Sequence, residues 1–335
     1  MLLPPNMTES LKALATNLPP LYCGFEVRLS PPSNRVDFGC GFFTSEDWKR
    51  WIHSPHFSPQ FSAIPEWKRI RDFIDEQTKT GSTLSRGVHM LLFEFDCDEN
   101  LRFSLLPALF FYFERPKEAR PHTEEEKDLW RICLKRAYHL LRGEEVNFTL
   151  ESHWEACLEA LPKNARLMGA GLFLDRAFTP FRLTVASLQW DAVQGFLGRL
   201  GYREDEEQFA ETRAIIGENV SIRLGLDITS QGVVRVGYLV LKPQTDSGFI
   251  ERLPISQEQK TALRDWEHRE EISSAIAPLE LQRLQVFVPQ SKLIRSREIF
   301  HYKMGRNQQG AWEIKAYLTL QDTLISRSSV QQPLR

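Results

Sequence analysis

Ile299-Phe300-His301-Tyr302-Lys303-Met304, followed after a short polar link by Trp312-Glu313-Ile314-Lys315-Ala316-Tyr317-Leu318-Thr319-Leu320, reads as a pair of strands. Successive side chains of a strand point to opposite faces. The second segment therefore has Ile314, Ala316, Leu318 and Leu320 on an apolar face and Glu313, Lys315, Tyr317 and Thr319 on a polar one. In the first, Phe300, Tyr302 and Met304 are apolar and His301 and Lys303 lie opposite. Two paired strands with cations on one face can hold an anion there. For one hairpin alone, a half-buried sheet with a solvated outer face is the simpler reading.

The pattern recurs, which changes the balance. Gly24 to Leu29 and Val36 to Phe43, joined by the turn signal Pro31-Pro32-Ser33-Asn34, form a first pair. His89 to Asp96 with Leu105 to Phe113 form a second, Arg166 to Phe173 with Pro180 to Ser187 a third, and Ser221 to Ile228 with Val233 to Leu241 a fourth. Helical periodicity separates them: Glu46 to His53, Glu66 to Glu76, Glu124 to Arg142, His153 to Leu161, Trp190 to Leu200, Gln257 to Arg269 and Ala277 to Leu284. Ser187 or Asp191 is the expected cap of the helix at Trp190, and Gly201 its expected end.

Five helix–strand–strand–helix units predict an α+β fold with about ten antiparallel strands. A sheet that long curls, splits or closes, and closure removes its edges. Closed with the helices outside, it is a barrel whose apolar strand faces meet the helices and whose polar faces line a lumen. Ten strands make it wider than the eight-stranded barrels that side chains just fill. The expected lumen positions are Glu26, Arg28, Asp37, Gly39, Gly41 and Phe43; Glu94 and Asp96; Arg182 and Thr184; and Arg223, Gly225 and Asp227. His301, Lys303, Lys315 and Tyr317 follow, with Arg235, or Tyr238 if a bulge shifts that strand. Acidic groups gather on the N-terminal strands and basic groups on the C-terminal ones.

Over most of residues 20–320 this arrangement resembles the prenyltransferases of the ten-stranded αββα barrel, the PT-barrel or ABBA fold, and most of all the cyanobactin-type peptide prenyltransferases. The residues that carry the resemblance are Phe25-Glu26-Val27-Arg28-Leu29, Pro180-Phe181-Arg182-Leu183-Thr184, Trp190 to Tyr202, Arg223-Leu224-Gly225-Leu226-Asp227, Gly237-Tyr238-Leu239-Val240-Leu241 and the Lys315-x-Tyr317 of the last strand. One departure is plain: Val36 to Phe43 has no basic residue, where members of the family place an Arg for the diphosphate.

The resemblance implies transfer of a short prenyl group, dimethylallyl or geranyl, from its diphosphate to a peptide side chain such as Arg, Trp or Tyr. Arg182, Arg223, Lys303 and Lys315 are the expected cations for the diphosphate, since Arg offers a fork and Lys a point charge to phosphate oxygens. Tyr238, Tyr317 and His301 are the expected hydrogen-bond donors to it. Glu26 is expected to take the acceptor's proton as a partly buried carboxylate of raised pKa, and Asp37, Glu94 and Asp96 to bind the acceptor. No tightly bound cofactor is implied. The chain has no DDxxD, so any Mg²⁺ accompanies the diphosphate rather than sitting in a protein cage.

Composition narrows the classes. Net charge is −2, which gives nucleic-acid binding no electrostatic support. Five cysteines, at 23, 40, 97, 133 and 157, are scattered without CxxC spacing, as in a reducing cytoplasm and unlike a zinc site. Met1-Leu2-Leu3-Pro4-Pro5 is short and unflanked by charge, so a signal peptide is not expected, and no apolar run reaches membrane-spanning length. Asp96-Cys97-Asp98-Glu99-Asn100 lacks the Gly and distant Glu of a calcium loop and reads as a polar turn. The expectation is a monomer with a single domain over residues 1–325 and a flexible tail over 326–335. Two alternatives stand beside it: a catalytically silent barrel binding a peptide or organic anion, which the missing basic residue favours, and an unrelated α+β scaffold with separate sheets.

Overall fold

The computed structural model describes residues 7–15, 18, 22–30, 35–42, 45–55, 57–113, 122–175, 180–218, 220–242, 247–273, 292–307 and 309–325. Phe43, the turn signal at Pro31–Asn34, the helix expected at Ala277–Leu284 and the tail 326–335 lie outside them.

The described residues form eleven strands: β1 (Tyr22–Arg28), β2 (Val36–Phe42), β3 (Val88–Phe95), β4 (Ala108–Phe113), β5 (Arg166–Phe173), β6 (Phe181–Leu188), β7 (Ile222–Thr229), β8 (Gly232–Leu241), β9 (His268–Glu271), β10 (Lys292–Arg306) and β11 (Trp312–Ile325). Strands β1 to β8 each pair antiparallel with the next, β8 pairs with β10, β10 with β11, and β11 returns to β1. The result is a closed barrel of ten antiparallel strands in one continuous sheet, which overturns the alternative of separate sheets.

The eleventh strand, β9, was not expected. Among the described residues it pairs only with Ile294–Arg297 of β10, where β10 runs beyond its pairing with β8, and all four of its residues are exposed. The helix expected through Arg269 ends at Trp266 for this reason: His268 and Arg269 belong to β9. A short, charged strand of this kind blunts an open sheet edge.

Helices stand between the strand pairs close to where periodicity put them: Ser45–Ile52, Pro65–Thr78, Glu124–Arg142, Phe148–Glu159, Trp190–Arg199 and Gln257–Trp266. The longest is bounded by local chemistry, a Thr123/Glu126 capping box at its start and Gly143 in the left-handed conformation (φ 75°) at its end. At Trp190 the cap is Gln189 with no side-chain hydrogen bond, and neither Ser187 nor Asp191 fills that place; Gly201 does end the turn at φ 75°. Helices at Met7–Ala15, Pro59–Ser62, Thr83–Gly87, Glu206–Ile216 and Phe249–Arg252 were not expected.

The apolar strand faces meet these helices through aromatic pairs. Trp48 lies 4.1 Å from Phe93, Phe73 5.7 Å from Phe111, Trp154 4.4 Å from Phe181 and Phe249 4.9 Å from Tyr302, centroid to centroid. Each such ring buries enough apolar surface to contribute about 1.5–3 kcal/mol. Among the described residues, no helix is long and apolar enough to cross a membrane.

Candidate functional site

The polar faces converge inside the barrel. Glu26 on β1 stands opposite Tyr317 of β11 on one side and Asp37 of β2 on the other. Glu94 of β3 follows, paired with Gly39 of β2 and Ala108 of β4. Arg182 of β6 pairs with Asp227 of β7, which pairs with Arg235 of β8, and Lys303 of β10 pairs with Lys315 of β11. Groups on different strands lie close enough to interact electrostatically, Arg182 with Glu94 and Tyr317, and Arg223 with Tyr112 and His301.

Burial raises the cost of every charge in this lumen, so pairing decides which groups keep theirs. Glu26 is buried, which alone would raise its pKa. Lys315 acts against burial, and Lys315 and Tyr317 donate hydrogen bonds to its two oxygens, so its carboxyl is held well below the usual range. The raised pKa expected for Glu26 is thus reversed. A buried carboxylate that accepts two charge-assisted bonds is a fixed anion rather than a tuned base.

The neighbouring carboxyls behave differently. Burial and the Glu26 charge push Asp37 up to about 6 and Glu94 up to about 8. Asp37 accepts a 2.9 Å bond from the Cys97 N–H and stands 3.9 Å from the Arg28 guanidinium. Asp96 lies close enough to add its repulsion to Asp37.

On the other wall, Arg182 forks onto Asp227 with Nε–Oδ1 at 2.6 Å and Nη2–Oδ2 at 3.0 Å. Despite burial, this guanidinium keeps Asp227 at about 2. Arg182 also lies 4.6 Å from the Phe173 ring and 5.9 Å from that of Phe110. His301 stacks on Tyr317 at 3.8 Å, and burial lowers its pKa to about 3, so it is a neutral imidazole at physiological pH. Burial, with Arg182 beside it, also lowers the Lys303 ammonium well below its ordinary value.

The lumen thus brings together Glu26, Asp37, Glu94, Asp96, Arg182, Arg223, His301, Lys303, Lys315 and Tyr317. Tyr238 is the exception. It sits on the apolar face of β8 opposite Leu224 and Met304, donates its hydroxyl to Glu204 and stacks on Trp190 at 5.8 Å. The bulge in this pair leaves Val234 of β8 without a partner, before Arg235, so β8 alternates regularly from Arg235 onward and Arg235, not Tyr238, faces inward. Arg235 pairs with Glu313.

One wall was missed. Ala108, Phe110, Tyr112 and Phe173, with Leu92, form an apolar patch separate from the main core. Phe110 lies over Gly171, where an added Cβ would come within 2.2 Å of the ring. Two signals were available: the run Ala108-Leu109-Phe110-Phe111-Tyr112-Phe113, apolar on both faces, and the alternating Gly169 and Gly171 on the next strand. Among the described residues no group of three or more His, Cys, Asp or Glu side chains is gathered to hold a metal ion.

Comparison with solved structures finds a likeness of fold. AnaPT from Neosartorya fischeri matches with a TM-score of 0.51 at 12% identity, over 88% of this chain and 77% of its own. A 6-dimethylallyl tryptophan synthase matches with a TM-score of 0.48 at 12% identity, over 88% and 80%. The likeness to AnaPT is one of fold. No protein-family model and no curated protein matches the sequence.

Proposed function

We propose that the chain is a prenyltransferase of five αββα units with the helices outside the barrel, moving a dimethylallyl or geranyl group from its diphosphate to a peptide side chain in natural-product maturation. The observation that carries this reading is the two-walled lumen, with carboxyls on β1 to β3 and cations on β6 to β11. Ionising an allylic diphosphate leaves a carbocation and an anion, and cations fixed in a water-poor cavity stabilise that separation. Arg182, Arg223, Lys303 and Lys315 supply them, His301 and Tyr317 hydrogen bonding. The faces of Phe110, Tyr112 and Phe173 can shield the carbocation.

Opposite them, Glu26 as a fixed anion orients a guanidinium or an indole N–H. Asp37, with a pKa of about 6, is better matched than Glu26 to taking the proton near neutral pH. Glu94 and Asp96 complete the acceptor wall, and Mg²⁺ arrives, if at all, as counter-ion of the diphosphate. The single continuous sheet supports one domain over residues 1–325. The buried free thiols of Cys40, Cys97, Cys133 and Cys157 suit a reducing cytoplasm, and we read the chain as a monomer.

The test is mass spectrometry of Arg-, Trp- and Tyr-containing peptides incubated with dimethylallyl or geranyl diphosphate. A prenyl mass shift is expected, with turnover falling about 10²-fold or more in Asp37→Asn and in Glu26→Gln. Full turnover in both variants would remove the acidic wall from the mechanism. A specific observation favours the second reading, a silent barrel that binds a peptide or organic anion: Arg182 and Lys315 are already paired with Asp227 and Glu26, and β2 carries no basic residue. Tight diphosphate binding with no mass shift on any acceptor would leave that reading in place.

A further inference from the structure

Most charges on the lumen wall are held in company, and two are not. Arg182 is forked on Asp227, and Glu26 is held by Lys315 and Tyr317. Glu94 and Lys303 are each only 6% exposed, yet among the described residues neither makes a hydrogen bond or an ion pair within 4.0 Å. Lys303 reaches the lumen by passing its stem over Gly237, where an added Cβ would lie 2.6 Å from its Cε.

The surroundings offer neither group a net counter-charge. Lys303 on β10 is faced by Arg182 of β6, Asp227 of β7, Lys315 of β11 and Glu26 of β1, with His301 on its own strand and Arg235 of β8 beyond Asp227. Glu94 on β3 is faced by Glu26 of β1, Asp37 of β2, Lys315 of β11 and Arg182 of β6, with Tyr112 and Tyr317 beside it. Arg182 with Asp227, and Lys315 with Glu26, already offset each other. A buried charge without a partner is relieved by gaining or losing its proton. The directions agree: burial pushes the Glu94 carboxyl up to about 8 and the Lys303 ammonium well down.

We propose that the ligand-free lumen rests with Glu94 as a carboxylic acid and Lys303 as an amine, and that an anion at Lys303 with a cation at Glu94 moves one proton from Glu94 to Lys303. The O–H bond at the Glu94 carboxyl breaks, an N–H bond forms at Lys303 Nζ, and the protein's total charge is unchanged. An anion arriving alone draws the proton for Lys303 from solvent. A cation arriving alone sends the Glu94 proton out. Anion and cation therefore assist each other, with a coupling of about 5–150-fold expected for two sites linked in this way. The identity of the ligands, a diphosphate and a guanidinium, rests on the proposed function; the resting state does not.

The experiment has two arms. In the first, the ligand-free protein is titrated by infrared spectroscopy and by ¹³C NMR of its lysine Cε atoms. A carboxylic-acid band that persists at neutral pH and is lost in Glu94→Gln is expected, with one lysine uncharged at mildly alkaline pH whose signal disappears in both Lys303→Met and Lys303→Arg. Absence of that band, or a Lys303 that titrates with the other lysines, overturns the proposal. In the second, inorganic diphosphate and methylguanidinium are titrated calorimetrically in buffers of different ionisation enthalpy. Diphosphate alone should take up about one proton and methylguanidinium alone release about one; with both, the exchange should vanish. Lys303→Arg should bind diphosphate without proton uptake. Diphosphate binding to the wild type without uptake overturns the transfer. Failure of diphosphate to bind removes the donor site and the transfer with it, while the spectra still decide the resting state.

Discussion

On the acidic wall of the lumen, carboxyls from three neighbouring strands crowd one another, and burial with the Glu26 charge lifts Asp37 to about 6 and Glu94 to about 8. On the basic wall a carboxylate is interleaved with the cations, and the Arg182 fork holds Asp227 at about 2 against the same burial. Asp37, Glu94 and Asp227 are all buried, at 1%, 6% and 5% exposure, so the difference lies in pairing. It teaches that a buried ladder of like groups stores protons, whereas a mixed ladder stores charge. Stability should follow opposite courses with pH on the two sides.

The largest effect is expected where the mixed ladder is broken. Asp227→Ala leaves the Arg182 guanidinium buried beside aromatic rings without its fork, and should cost about 3–5 kcal/mol in urea unfolding. Replacing both residues by apolar ones of similar volume should recover most of that loss. Were Asp227→Ala nearly neutral, the basic wall would be wet rather than paired. Asp227 is depressed below its ordinary value of 3.8, so its contribution is present above that value and fades as pH falls through about 2.

The acidic wall gives the opposite sign. The Glu94 carboxyl is raised from 4.5 to about 8, so stability is fully present below 4.5 and declines as pH rises toward 8. Glu94→Gln should abolish that decline, leaving the variant about 1–3 kcal/mol more stable relative to wild type at pH 8 than at pH 5. Urea midpoints at the two values check it. Parallel pH profiles would mean that Glu94 is not a lone buried acid.

Much of this was legible before any coordinates. Period-two alternation brought Glu26, Lys315 and Tyr317 to one face because β1 and β11 run without a bulge across those residues. Other features depend on register between segments far apart in sequence. Arg182 and Asp227 each read as lumen residues, but their fork exists only because β6 and β7 pair across an insertion that holds two helices, Trp190–Arg199 and Glu206–Ile216. The reversed pKa of Glu26 has the same origin: it needs Lys315, 289 residues away. The aromatic wall at β4 and β5 escaped because a strand apolar on both faces has no alternation to read.

The smallest effect tests where the site ends. Tyr238 shares a strand with Arg235 but lies on the other face, its hydroxyl on Glu204 and its ring on Trp190. Tyr238→Phe removes one hydrogen bond and leaves a half-buried carboxyl short of a donor, which should cost about 1–2 kcal/mol of stability. Burial already raises the Glu204 pKa and the Tyr238 bond lowers it, so the variant's Glu204 should titrate higher still. Inorganic diphosphate should bind Tyr238→Phe as tightly as wild type, whereas Lys315→Ala removes a lumen cation and should weaken it about tenfold or more. Equal losses in the two variants would mean that Tyr238 reaches the anion after all. Unchanged binding in both would move the anion away from this part of the barrel, and the contrast between the two faces of one sheet would cease to define the site.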